Sequence, residues 1–175
     1  GGNRAGIVKL GQNMTEVFRP ERSRASLGAI SKALIGIEPV ETVDPVSCIR
    51  QFASRYGHKC LAVLLSDLLF PEWLKVIKGL AASGSEGYVI QILSPEELEP
   101  PYLGEITLVD LEGGGEISLH ADSVTTQKYR RELAHFLTEV RQNCHRNNLG
   151  HTVAHTDSPL ARILYENLRK VGLLC

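Results

Sequence analysis

The stretch LAVLLSDLLFPEWL, residues 61–74, decides the fold. Five apolar residues, Leu61 to Leu65, run without alternation into Ser66 and Asp67, and Pro71 then opens a helical pattern. A short apolar run of this kind suits a central strand of a sheet covered on both faces. A carboxylate at its end is costly if buried without a partner. Asp67 is therefore expected at a sheet rim, where strand ends are wet and open to ligands.

Working outward, GYVIQIL (87–93) reads as a second buried strand and HTVAHT (151–156) as a third. Between them lie a helix over 71–83, with Trp73, Leu74, Ile77 and Leu80 at helical spacing, and a long helix over 124–146. The long helix carries a stripe of Tyr129, Leu133, Phe136, Leu137, Val140 and Cys144. Strands alternating with helices predict an α/β fold of three layers, a mostly parallel sheet with helices on both faces. Upstream, AGIVKLG (5–11) and MTEVFRP (14–20) form a hairpin pattern. A helix follows over 22–36, striped by Leu27, Ile30, Leu34 and Ile37, and another begins at Pro45 with Asp44 as its N-cap. EITLVDLEGGGEISLHA predicts an inserted β-hairpin at about 105–119, turning at Gly113–Gly115. A last helix is expected after Asp157-Ser158-Pro159, striped by Leu160, Ile163, Leu164, Leu168 and Val171.

The 175 residues suffice for one domain with a real core, so residues 1–175 are read as a single unit. Apolar content of 43% and charged content of 22% are those of an ordinary globular protein, and the net charge of -1 offers no field for nucleic acid or an anionic membrane. No apolar run approaches the roughly 20 residues that span a bilayer. Cys48, Cys60 and Cys144 fall in apolar stripes without a CxxC pair, as buried thiols do in a reducing cytoplasm.

Ligands of open α/β sheets bind beyond the carboxyl ends of the strands. That rule singles out Ser66-Asp67, Ser94, Thr156-Asp157 and the Thr42–Asp44 loop. Thr42, Ser66 and Asp67 offer hard oxygen ligands suited to Mg²⁺ or Mn²⁺. Asp44 and Asp157-Ser158 each precede a proline and read as helix caps; Asp67 lies four residues before Pro71, too far for a simple cap. His151 and His155 on one strand stand about 13 Å apart, too far to share a metal. GxSxG, HExxH, Walker and dinucleotide-binding patterns do not occur, so no catalytic or cofactor-binding residues are assigned.

Three runs, 35–69, 89–116 and 129–174, together resemble the bacterial "domain of unknown function 58" family; they include LSPEELEPP (93–101), TDSPL (156–160) and the closing GLL. The resemblance implies a von Willebrand factor A-like domain, encoded beside AAA+ ATPases of the MoxR type. It further implies a metal-ion-dependent adhesion site in which Thr42 and Asp67 are ligands, with Ser66 a weaker candidate. The DxSxS loop that completes such a site does not occur, and GNRAGIVKLG (2–11) matches the family's second strand. The first strand is therefore expected upstream, as part of a longer protein whose preceding portion often carries membrane-spanning helices.

These readings converge on a non-catalytic interaction module, an adaptor for an AAA+ ATPase, with a metal site that this chain alone leaves incomplete. The alternatives are a Mg²⁺- or Mn²⁺-dependent enzyme using the Asp67 rim, and a structural role in which Asp67 accepts backbone N–H groups. Without the first strand, the edge of strand 59–66 is expected either to pair with a second copy as a homodimer or to close against strand 5–11.

Overall fold

The computed structural model describes residues 4–21, 26–38, 42–101, 104–109, 115–163, 165, 169, 172 and 173. In chain order the elements are β1 (Ala5–Lys9), β2 (Thr15–Glu21), α1 (Ser26–Ile35), α2 (Pro45–Tyr56), β3 (Leu61–Ser66), α3 (Trp73–Ala82), β4 (Glu86–Leu93) and α4 (Pro95–Leu98). They continue with β5 (Gly104–Val109), β6 (Glu116–Ala121), α5 (Ser123–Arg146), β7 (Gly150–His155) and α6 (Leu160–Arg162). The fold is mixed α/β: a three-stranded parallel sheet in the order β3-β4-β7, with two separate antiparallel hairpins, β1-β2 and β5-β6.

Local chemistry sets several of these boundaries. Asp44 Oδ1 accepts the Ser47 N–H at 2.8 Å, and Pro45 opens α2 without a donor to waste. Asp122 does the same for α5, taking the Thr125 N–H at 2.7 Å. Two glycines let neighbours come close: a Cβ on Gly87 would lie 2.4 Å from a Leu149 methyl, and one on Gly150 would lie 2.3 Å from the Tyr88 ring.

One face of the parallel sheet carries the main core. Ala62 and Leu64 of β3 and Val89 of β4 pack with Val46 and Ile49 of α2, Val76, Ile77 and Leu80 of α3, and Val140 and Cys144 of α5. Trp73 meets Phe136 edge to face at 5.7 Å, locking α3 to α5. On the opposite face, Ile90 and Ala154 form a smaller cluster with Ile92, Ile163 and Leu173.

Strand β3 departs from its expected place. It is an edge strand rather than a central one, pairing with β4 on one side and with no strand on the other among the described residues. Its inward residues are buried, but Leu61, Val63 and Leu65 remain 49%, 42% and 60% exposed. An apolar run signals that both faces can be covered; it does not say what covers them.

The expected closure of the 5–11 strand onto β3 is not what forms. Strand β1 pairs with β2, and polar contacts fasten this hairpin to α2. Glu16 accepts from Arg55 at 2.7 Å and also from the Tyr56 hydroxyl. Gln51 Oε1 takes the Met14 N–H, while the Asp44 N–H and the Cys48 thiol both donate to the Gly11 carbonyl. Held by α2, the hairpin stands as a separate two-stranded sheet and does not extend the parallel one.

Smaller corrections follow the same logic. Leu34 of α1 is half exposed, so the helical stripe there is only partly covered. Tyr129 lies at the margin of its stripe, 38% exposed, with its hydroxyl donating to the Glu97 carbonyl at 2.6 Å. Cys48 and Cys144 are buried as expected, whereas Cys60 is half-buried. Asp157 and Ser158 do not cap α6: Pro159 takes the cap position, where no side-chain hydrogen bond forms. Leu164, Leu168 and Val171, the tip of the β5-β6 hairpin at 110–114 and the predicted helical start at 22–25 lie outside the described residues.

Candidate functional site: the carboxyl rim of the parallel sheet

The parallel register brings the carboxyl ends of β3, β4 and β7 to one rim, where Ser66-Asp67, Ser94 and Thr156-Asp157 leave the sheet. Ser94 has a structural assignment there. Its hydroxyl accepts the Glu97 N–H at 3.2 Å while the Glu97 carboxylate takes the Ser94 N–H at 2.5 Å, a reciprocal capping box for α4.

Asp67 is exposed. Its Oδ1 accepts the Leu69 N–H at 3.1 Å, and the preceding Ser66 Oγ accepts the Leu68 N–H, also at 3.1 Å. These two side-chain turns bracket Leu68, which adopts a left-handed backbone (φ 61) with its side chain fully buried. So the rim loop throws Asp67 outward and Leu68 inward within two residues.

Behind the loop sits Gln91, a fully buried amide in the middle of β4. Its Nε2 donates to the Asp67 carbonyl at 2.9 Å, and its Oε1 lies 3.3 Å from His151 Nε2. Because the amide NH₂ faces a carbonyl, the oxygen must face the histidine, so His151 Nε2 carries the proton. Burial, reinforced by the Arg141 guanidinium, pushes the His151 imidazole down to about 4, leaving it neutral at physiological pH. The relay His151–Gln91–Asp67 thus ties the rim backbone to β7 across the sheet. Sequence reading passed over Gln91, although one amide inside the apolar run VIQIL is a legible signal of a buried polar partner.

Thr42 lies in the loop before α2, exposed, with its hydroxyl accepting from Gln12 Nε2 at 3.3 Å. Among the described residues no hydrogen bond joins Thr42 to Ser66 or Asp67, and no three His, Cys, Asp or Glu side chains gather in a metal-holding group. A shallow cavity of about 240 Å³ lies away from the rim, lined by Leu137, Thr138, Arg141, His151, Thr152 and Val153. None of the described helices is long and apolar enough to cross a membrane.

The profile of the family described as "Protein of unknown function DUF58" matches residues 1–142. The chain belongs to the DUF58 family. The matched span takes in both hairpins, β3, β4 and the Asp67 rim and ends within α5; β7 with His151 lies beyond it. Relatives of this DUF58 chain include the uncharacterized proteins Mb1516 of Mycobacterium bovis and Rv1480 of Mycobacterium tuberculosis, each 26% identical over 168 residues. Those alignments cover 91% of this chain and 49% of each relative, so the chain spans about half the length of the curated relatives it matches. No solved structure matches the chain.

Proposed function

We propose that this chain is the sheet-bearing part of a von Willebrand factor A-like interaction module, an adaptor for an AAA+ ATPase of the MoxR type without catalysis of its own. The observation that carries this reading is the geometry of Asp67. An exposed carboxylate stands at the carboxyl end of a parallel strand, on a backbone tethered from behind by buried Gln91. A rigid platform presenting one acid to solvent suits recognition, where pre-organisation lowers the cost of binding.

In this reading Thr42 and Asp67 contribute oxygen ligands to a Mg²⁺ or Mn²⁺ ion. Two such donors fall well short of the near-octahedral shell Mg²⁺ demands. The chain's own donor set therefore does not fit a self-sufficient metal centre. Ser66 is the weaker candidate; its hydroxyl accepts the Leu68 N–H and helps to shape the turn. The missing ligands would come from the rest of the longer protein and from a carboxylate of the bound partner.

The test is co-purification of the full-length protein with the ATPase, with and without nucleotide. Wild type is expected to retain the ATPase and Asp67→Ala to lose it. No retention under any nucleotide condition overturns the adaptor role. Mg²⁺ or Mn²⁺ added to the isolated chain is expected to leave its melting temperature unchanged. An Asp67-dependent rise, by linkage of binding to folding, would instead favour the metal-dependent enzyme.

A further inference from the structure

We propose that the cavity between α5 and β7 is a phosphate site, in which Arg141 holds the charge of a hydrogen phosphate ion and His151 Nδ1 accepts its one O–H. The inference rests on side chains that line this cavity and is independent of the adaptor reading.

The acceptor is fixed from the interior outward. The Asp67 carbonyl takes the Gln91 amide nitrogen at 2.9 Å, which turns the Gln91 oxygen toward His151 Nε2 at 3.3 Å. Nε2 therefore carries the proton, and a neutral imidazole has only one. Nδ1 is left as a lone pair. It has no partner among the described residues, and no buried side-chain nitrogen or oxygen there lacks one, so Nδ1 opens onto the cavity that His151 lines. The Thr138 hydroxyl lines the same cavity and donates to the Ala134 carbonyl at 2.8 Å. Its proton is used there, so it too offers the cavity only lone pairs.

The charge comes from α5. Arg141 lines the cavity, close enough to His151 to help hold its imidazole neutral. Among the described residues the Arg141 guanidinium enters no ion pair. An adjoining cavity shares Arg141 and adds Gln142, His145 and Arg146, and among the described residues no carboxylate lines either. An unpaired guanidinium calls for an oxyanion. A lone pair beside it calls for a donor, which sulfate and carboxylates lack at neutral pH. Hydrogen phosphate supplies both the charge and the O–H. A phosphate ester loses its last O–H at about pH 6, so the free ion fits better than an ester. Neutrality of His151 is what makes the site selective, because an imidazolium would donate from Nδ1 and accept any of these anions.

Isothermal titration calorimetry of the full-length protein at neutral pH, with inorganic phosphate, sulfate and methyl phosphate in turn, tests the site. Far-UV circular dichroism checks that each variant is folded. Phosphate is expected to bind, with sulfate and methyl phosphate at least about tenfold weaker, since each sets an unprotonated oxygen against a lone pair. Arg141→Gln, an exposed change, should weaken phosphate at least about tenfold. His151→Asn offers an amide that can turn its NH₂ to the ligand, so sulfate should rise to within a few fold of phosphate. Absence of phosphate binding overturns the proposal, as does sulfate or methyl phosphate binding equally well to wild type. Undiminished binding by Arg141→Gln overturns it too, and so does selectivity that survives His151→Asn. Retention of the ATPase is read separately from anion binding, so the two readings fail separately.

Discussion

The two faces of the parallel sheet are built from the same three strands and have unlike fates. On one, Ala62, Leu64 and Val89 lie beneath three helices and take part in a core that includes Ile77 and Val140 at full burial. On the other, Ile90 and Ala154 gather a small cluster, while Leu61, Val63 and Leu65 one strand away stay open. Alternation along β3 makes the two sets neighbours, yet only one of them is packed into a core among the described residues. Apolar character alone does not tell a buried residue from an exposed one; what sits above it does.

The sharpest way to break this comparison is truncation on each face. Ile77→Ala should cost about 2–5 kcal/mol in denaturant unfolding of the dilute chain, since it opens a cavity beneath α3. Leu65→Ala should stay within about 0.5 kcal/mol, as exposed substitutions do. Equal costs would mean that the open face is covered in solution. Gln91→Leu should cost about 2–3 kcal/mol, because it strands the Asp67 carbonyl and the His151 Nε2–H without partners.

The pH dependence sharpens the same contrast. The folded state holds His151 at about 4 against 6.5 for the free side chain, so the unfolded chain binds the extra proton between these values. Stability from this group is complete above pH 6.5 and is lost as the pH falls toward 4. The full shift corresponds to roughly 3 kcal/mol, and partial solvent access trims it to about 2 kcal/mol. Comparing wild type with His151→Asn across that window isolates the effect; parallel curves would show that the imidazole is not held neutral. The smallest change is expected at the rim, where Asp67→Ala removes one exposed turn hydrogen bond and should cost under about 1 kcal/mol. A large loss there would make Asp67 a structural residue rather than a presenting one.

Much of this architecture was legible in the sequence, because periodicity and punctuation are local. The parallel strands, the long α5, the Asp44 cap and both hairpins each announce themselves within a dozen residues. What was not legible depends on distant partners. The course of the first hairpin is one case: it is held to α2 by Glu16 of β2, which accepts from Arg55 and Tyr56, and by Gln51 at Met14, pairings that cross some 40 residues. Asp67 was read correctly as a rim acid, but the Gln91–His151 relay behind it joins three separate strands and leaves only a lone amide as its trace. The Asp157 cap failed for a smaller reason: Pro159 took the N-cap place itself.

Leu68 gives the rim a mechanical character. A leucine in the left-handed region carries an intrinsic penalty of about 1–2 kcal/mol, and here that penalty is offset by complete burial of its side chain. The turn therefore behaves as a latch: the acid faces outward for as long as the leucine stays seated. The buried Leu68 side chain and the Asp67 turn hydrogen bond together fix the backbone from which the carboxylate projects. Leu68→Gly would relax the backbone and empty the socket together, freeing the acid to wander while leaving its chemistry intact.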